Sequence, residues 1–329
     1  MSAPLLEIEN LRVTLTGSAG RVRPVRGVSL SVESGEIVGV AGESGSGKTL
    51  TALAIAGLLP RGGVAEAESL CFDGHDLLRE PEGELRTVLG TGMAIVFQDP
   101  MSSLNPARRI GSQMIEAVRT HKGLSRSEAL KLAESGLEAM GIDEPKRRLR
   151  QYPHEFSGGM RQRTMLAMGL MSEPKLLIAD EPTTALDVTV QEQVIDLISA
   201  MNQRLGTAVI LVSHNITLLS EVCDRVLIMY GGRIVEDLTV ERLIESPAHP
   251  YTQALVNAVP DLQTDRDQPL SAIEGSPPQP TDQIEGCAFA DRCPIVEDRC
   301  RSDRPLLEWQ AGGQRLACWV NSSRAGSVS

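Results

Sequence analysis

The sequence predicts an α/β fold: a mainly parallel sheet covered by helices, with an antiparallel β region ahead of it and a helical insertion within it. Three observations carry this reading. Apolar runs of strand length alternate with amphipathic stretches at helical spacing, the pattern of βα units. One such strand, Ile37-Val38-Gly39-Val40-Ala41, runs into a glycine-rich turn that opens a helix. That turn, Gly42 to Thr49, fits the phosphate-loop pattern G-x-x-x-x-G-K-[ST], with Ser44, Gly45 and Ser46 ahead of Gly47, Lys48 and Thr49. Glycines let backbone N–H groups turn toward one point, and the helix behind them adds partial positive charge. Lys48 is of a length to reach the β- and γ-phosphates, and the Thr49 hydroxyl suits Mg²⁺.

Taken in order, the chain opens with β-type alternation in Leu6–Glu9, Leu11–Leu15 and Val28–Val32, punctuated by Gly17, Gly20, Gly27 and Gly35. After the first helix, Ser69–Gly74 and Met93–Phe97 read as strands. From Arg108 to Arg150 the pattern is helical. Ile110, Met114, Ile115 and Val118 fall on one face, as do Ala129, Leu132, Ala133, Leu137 and Met140 before Gly141 ends the run. Ser157 is positioned to cap a helix reaching about Met171. Lys175–Ala179 has the continuous apolar character of a buried strand. A helix follows with Val190, Val194, Leu197, Ile198, Met201 and Leu205 on one face. Strands Ala208–Val212 and Arg225–Tyr230 come next, the second turning at Gly231-Gly232 into Arg233–Val235. His249–Leu255 reads as a short helix, and residues 260 to 286 as an extended linker rich in Pro, Asp and Gln. The last residues read as disordered.

With 329 residues and 41% hydrophobic content there is room for about two domains with real cores. A net charge of −11 argues against a nucleic-acid partner, which calls for a basic surface. The first residues lack the charged and apolar regions of a signal peptide, and no apolar run reaches membrane-spanning length. The expectation is a soluble, cytosolic chain that meets a membrane only through partners.

Two further stretches carry chemistry. Leu176 to Asp180 is an apolar strand delivering a carboxylate to the sheet edge, where Asp180 suits Mg²⁺ and Glu181 suits the role of general base toward water. Ser157-Gly158-Gly159 opens a helix with a hydroxyl and backbone N–H groups, a second phosphate-cradling end in a chain that already has one. Two such ends imply protomers facing head-to-tail, each closing the other's nucleotide. Cysteine use is lopsided. Cys71 and Cys223 are isolated and read as small buried apolar residues. Cys287, Cys293, Cys300 and Cys318 crowd together, and in a reducing compartment metal ligation is the leading reading. Paired C-x-x-C spacings typical of zinc are absent, and four thiolates in an irregular loop also suit a [4Fe–4S] cluster. Iron–sulfur, zinc and no metal all stay open.

Gly42–Thr49, Gln98, Ser157-Gly158-Gly159, Asp180-Glu181, Ala185-Leu186-Asp187 and His214 occur in the order of an ATP-binding cassette (ABC) ATPase, which the chain resembles over roughly residues 5 to 240. The resemblance implies a P-loop NTPase of RecA-like type: a core of 1–98 and 157–240 with an N-terminal antiparallel β-subdomain, a helical subdomain of 99–156, and a Cys-rich C-terminal extension of 241–329. By similarity, Gln98 senses Mg²⁺ and couples to a membrane subunit, Asp187 belongs to a loop crossing the dimer interface, and His214 contacts the γ-phosphate. Phe97–Pro106, Phe156–Met160, His249-Pro250-Tyr251-Thr252 and the four-cysteine tail further resemble the ATP-binding subunits of oligopeptide and dipeptide permeases. Importers of nickel and glutathione are close relatives, and relatives of the permease type are thought to carry an iron–sulfur cluster. The implied partners are a second ATPase subunit in a hetero- or homodimer, two transmembrane permease subunits and an extracytoplasmic solute-binding protein. The implied place is the cytoplasmic face of the membrane. A soluble ABC ATPase acting on nucleic acid is the rival from another class, which the single cassette and acidic balance disfavour.

Two departures stand out. Phe156 and Met160 replace the ends of the usual Leu-Ser-Gly-Gly-Gln signature. No aromatic residue precedes Phe72, although ABC ATPases often stack adenine on one, and the family's position falls near Leu15. Stacking on an aromatic is worth about 1–3 kcal/mol per base, so ATP is expected to be held mainly through its phosphates. Titration should therefore give similar affinities for ATP and GTP; GTP binding about 100-fold weaker, a gap of roughly 2.7 kcal/mol, would contradict this.

Overall fold

The computed structural model describes residues 3–17, 20–97, 103–183, 188–258 and 273–321. Gln98, the Ala185-Leu186-Asp187 loop, residues 260–272 of the expected linker and the terminal residues 322–329 lie outside them. The chain divides into two compact units.

One unit comprises Met1–Leu5, Val32–Ile37 and Phe72–Val212. At its centre Leu176–Asp180 runs parallel to Met93–Val96 on one side and Ala208–Val212 on the other, with Ile178 opposite both Ile95 and Ile210. Every residue of Leu176–Asp180 and Ala208–Val212 is buried. That explains their unbroken apolar sequence, since strands of a parallel sheet are covered on both faces. Helix Gly158–Leu170 covers this sheet, with Gly169 close against Ala94. The expected helical insertion forms as Ile110–Met114, Glu116–Lys122, Arg126–Ala139 and Pro145–Arg148. The longest of these starts with a reciprocal cap: Glu128 N donates to Ser125 Oγ at 3.3 Å and Ser125 N to the Glu128 carboxylate at 2.9 Å. Ala129, Ala133 and Leu137 are its buried stripe. Helix Val188–Leu205 buries Val194, Ile195 and Ile198, while Leu205, expected on the same face, is exposed at the last turn.

The second unit comprises Leu6–Ser31, Val38–Cys71 and Ser213–Ser329. Its N-terminal part is an antiparallel sheet of two long strands, Leu6–Gly17 and Gly20–Val32, with Gly63–Glu66 and Ser69–Phe72 added. The sequence reading stopped short of this length, because Arg21, Arg23, Pro24 and Arg26 break the alternation of the second strand. The phosphate-loop strand Ile37–Ala41 pairs in parallel with Arg225–Tyr230, which turns through Gly231-Gly232 into the antiparallel Arg233–Thr239. The sheet then continues into Arg315–Leu316 and Glu308–Trp309, two short strands not foreseen from the sequence. The cysteine-bearing segment thus extends the sheet that begins at the phosphate loop. The described part of the expected linker includes a turn, Asp282 N donating to the Gln279 carbonyl at 3.0 Å, and is held: Arg26 donates to the carbonyls of Asp282 at 2.8 Å and Gln279 at 3.1 Å, and Arg23 N to that of Pro280 at 3.1 Å.

Candidate functional site

The phosphate loop follows the all-buried strand Ile37–Ala41 and ends at helix Lys48–Ile55. Two of its glycines are required by sterics. Gly42 has φ 149°, and a Cβ there would collide with the Met229 carbonyl oxygen. Gly47, the helix N-cap, has φ 103°, and a Cβ would stand 2.7 Å from the Pro24 carbonyl oxygen. The Lys48 ammonium is buried in the loop, donating to the carbonyls of Gly42 at 2.7 Å and Glu43 at 3.0 Å. Ser46 is buried, and its hydroxyl has no hydrogen-bond partner among the described residues. A buried orphan hydroxyl beside a ring of backbone N–H groups fits a loop that takes its remaining partner from a bound phosphate. Ser44, Gly45 and Thr49 are exposed.

The loop is also held by residues that motif reading missed. Arg292 donates through both terminal nitrogens to the Glu43 carboxylate, at 2.7 and 2.9 Å, in a two-pronged pair. Its remaining donors reach the Tyr230 hydroxyl at 3.1 Å, the Glu274 carbonyl at 2.8 Å and the Ile273 carbonyl at 3.0 Å. The Arg292 side chain is 5% exposed, and its bonds to Glu43 hold its pKa above the ordinary guanidinium value. Glu43 N donates to the Tyr251 hydroxyl at 2.8 Å. Tyr230, Tyr251 and Phe289 pack as an aromatic group with ring centroids 4.5 to 5.4 Å apart. The signal for this contact was dispersed: Arg292 and Phe289 stand among the cysteines, some 250 residues from Glu43.

Asp180 is buried at the end of its strand. Glu181 follows with φ 46°, its N–H bonded to the Val212 carbonyl at 2.9 Å. A left-handed conformation in a non-glycine residue is unfavourable by about 1–2 kcal/mol and is concentrated at functional positions. Ser157 caps helix Gly158–Leu170, its hydroxyl accepting from Met160 N at 3.2 Å. Phe156 is buried and anchors this end, while Ser157 and Gly158 are exposed. A Cβ on Gly158 would meet nothing within 4 Å, so the chain itself leaves that space open. Ser213 N donates to the Val40 carbonyl at 3.1 Å, which brings the exposed His214 beside the end of the phosphate-loop strand.

All six cysteines are free thiols. Cys223 is buried, which pushes its thiol up to about 12, as expected of a core residue; Cys71 is only half-buried. Cys287, Cys293, Cys300 and Cys318 line one cavity with His249 and Phe289. Burial pushes Cys287 up to about 11, aided by the three other thiols. Buried His249 is held neutral, its pKa pushed down to about 3, and its Nδ1 accepts from Tyr251 N at 3.1 Å. Among the described residues, no three His, Cys, Asp or Glu side chains are gathered as the shell of a single metal ion. The expectation of a metal centre at these cysteines, iron–sulfur or zinc, therefore finds no support in their arrangement.

Arg292→Gln leaves the Glu43 carboxylate without its counter-charge within the phosphate loop. The expected result is ATP affinity about tenfold weaker or worse, read by titration, with the fold retained by circular dichroism. Unchanged affinity would show that the ion pair does not bear on the nucleotide.

Residues 25–184 match the family described as ABC transporter, and residues 235–300 match the oligopeptide/dipeptide transporter C-terminal region. The chain is 46% identical to a probable peptide ABC transporter ATP-binding protein of Sinorhizobium fredii, covering 96% of this chain and 94% of the relative. It is 42% identical to the dipeptide transport ATP-binding protein DppD of Escherichia coli, covering 98% of each. It is 43% identical to the oligopeptide transport ATP-binding protein OppD of Salmonella typhimurium, covering 96% and 93%. Among solved structures, the dimeric ATP-binding cassette MJ0796 bound to ADP and phosphate shares the fold with a TM-score of 0.65 at 24% identity, over 71% of this chain and 98% of that one. CbiO1 of Clostridium perfringens, part of an ABC transporter complex, gives a TM-score of 0.62 at 25% identity, over 74% and 92%. The phosphate loop, the sheet around it and these likenesses agree: the chain belongs to the ATP-binding subunits of ABC peptide transporters.

Proposed function

We propose that the chain is the ATP-hydrolysing subunit that powers import of di- or oligopeptides, seated on the cytoplasmic face of the membrane through permease subunits. One observation carries this reading: a complete phosphate loop and a peptide-transporter C-terminal region occur in one chain and pack against each other through Arg292 and Glu43. Among the described residues no helix is long and apolar enough to cross a membrane, so attachment runs through partners. These are two transmembrane permease subunits, fed by an extracytoplasmic solute-binding protein, and a second ATPase subunit, which the heterodimer reading makes a different chain.

Gly42 to Thr49 holds the triphosphate, with Lys48 leaving the loop carbonyls for the β- and γ-phosphates. Mg²⁺, when bound, neutralises developing charge on the phosphates; Thr49 and Asp180 would hold it, with Gln98 as third contributor. Glu181 takes a proton from the attacking water, and His214 orients the γ-phosphate. Ser157, Gly158 and Gly159 close on the partner's nucleotide, with Asp187 at the junction. The open space at Gly158 and the exposure of Ser157 support that role. ATP binding therefore draws two subunits together, and loss of phosphate releases them.

The resemblance to permease subunits is what suggests a [4Fe–4S] cluster at the four cysteines, which line one cavity; each corner of a cluster would take one thiolate. Its role would be structural, stabilising the segment that carries Arg292.

Glu181→Gln should bind ATP but hydrolyse it at least about 100-fold more slowly, accumulating a dimer on gel filtration with ATP; undiminished turnover would refute the assignment. Protein purified without oxygen should be brown, with an iron-to-sulfide ratio of one. A colourless preparation holding stoichiometric zinc would overturn the cluster.

A further inference from the structure

In a chain of net charge −11, one region of the second unit is strongly cationic. Arg12, Arg233 and Arg304 line both of two adjoining cavities, one of about 280 Å³ and a more open one of about 530 Å³. Arg21, Arg23 and Arg26 add to the open one. Three acids lie nearby, and one of them, Asp282, partly offsets the burial of the Arg26 charge. Asp237 is engaged by Arg225 at 2.9 Å and by Arg315 at 3.8 Å. Asp282, on the open cavity, accepts from Gln279 N at 2.7 Å. Glu285 also lines that cavity. Among the described residues, no carboxylate forms an ion pair within 4 Å of any of these six arginines.

Arg233 is the informative member. Its Nε is buried and has no hydrogen-bond partner among the described residues. Burial, with repulsion from Arg304, Arg26 and Arg12, pulls its pKa down to about 10. A buried, unpartnered guanidinium N–H among like charges is unfavourable twice over, through lost hydrogen bonding and through Coulomb repulsion. Arginines that serve only solubility point into water and stay apart. Here strand Leu6–Gly17, strand Arg233–Thr239 and the segment between Cys300 and Cys318 each send an arginine to one cavity. Val235, Pro305 and Leu307 supply an apolar wall to the smaller cavity.

We propose that this cavity is a binding site for a small polyvalent phosphorylated anion, held by Arg12, Arg233 and Arg304. Planar guanidinium forks match phosphate oxygens in pairs, and two linked phosphoryl groups supply the charge that several converging arginines require. The volume suits a diphosphate or a phosphorylated metabolite of modest size rather than a polymer. Arg26 and Arg23 also hold residues 279–282, and Cys287 lines the smaller cavity. An anion here therefore braces the C-terminal segment against the N-terminal strands.

The test uses the full-length protein with inorganic pyrophosphate as probe, comparing wild type with Arg304→Ala and, separately, Arg12→Gln. Both side chains are exposed at the cavity mouth. All three proteins keep the same phosphate loop, so its share of any binding cancels in the comparison. By calorimetry, wild type should bind pyrophosphate at a site beyond the ATP site. Each variant should lose that site or bind at least about tenfold more weakly. Without added anion, each variant should melt at a temperature equal to or higher than wild type, because repulsion around Arg233 is relieved. Equal pyrophosphate binding by wild type and both variants, or a single site in wild type that ATP displaces, would overturn the proposal.

Discussion

A single buried guanidinium, that of Arg292, ties the phosphate loop to the C-terminal segment, and much of the second unit is arranged to hold it. The loop must present backbone N–H groups inward, yet its second residue is a glutamate, whose charge would repel a triphosphate. Arg292 engages both oxygens of that carboxylate, and Tyr251 fixes the N–H of the same residue. The aromatic group of Tyr230, Tyr251 and Phe289 provides the dry surroundings that make the pair strong. Arg292 in turn stands directly before Cys293, within the cysteine-bearing segment.

Under the proposed function, this arrangement gives the C-terminal segment a part in nucleotide binding. It adds two strands to the sheet that begins at Ile37–Ala41, buries Glu236 against the start of helix Pro250–Asn257, and neutralises Glu43. The arginine cavity joins the same segment to the N-terminal strands. A cassette needs its phosphate loop rigid while its other surfaces move between open and closed dimers. Anchoring the loop at Glu43 through Arg292 and Tyr251 contributes to that rigidity.

Much of this was legible in the sequence, and for physical reasons. The phosphate loop, the buried run Leu176–Asp180, the Ser157 cap and the Gly141 stop are local devices, in which neighbouring residues satisfy one another. What escaped reading was non-local. The fork between Glu43 and Arg292 joins residues 249 positions apart, and no spacing rule reaches that far. The length of strand Gly20–Val32 was hidden because its arginines serve a cavity and a docked segment and the Pro24 carbonyl lies against Gly47 and Gly232, which breaks the alternation of a half-buried strand. The strands Arg315–Leu316 and Glu308–Trp309 are too short to carry a pattern and exist because Arg233–Thr239 offers an edge. Leu205 shows the reverse case, an apolar residue at helical spacing that stays exposed at a helix end.

The most direct test of this account is a double-mutant cycle between Glu43 and Arg292, read as ATP affinity. If Arg292 acts by neutralising Glu43, then Glu43→Gln combined with Arg292→Gln should recover most of the affinity lost in Arg292→Gln alone, a coupling of about 1.5 kcal/mol or more. If the two losses simply add, the pair is not what holds the loop, and the account is contradicted.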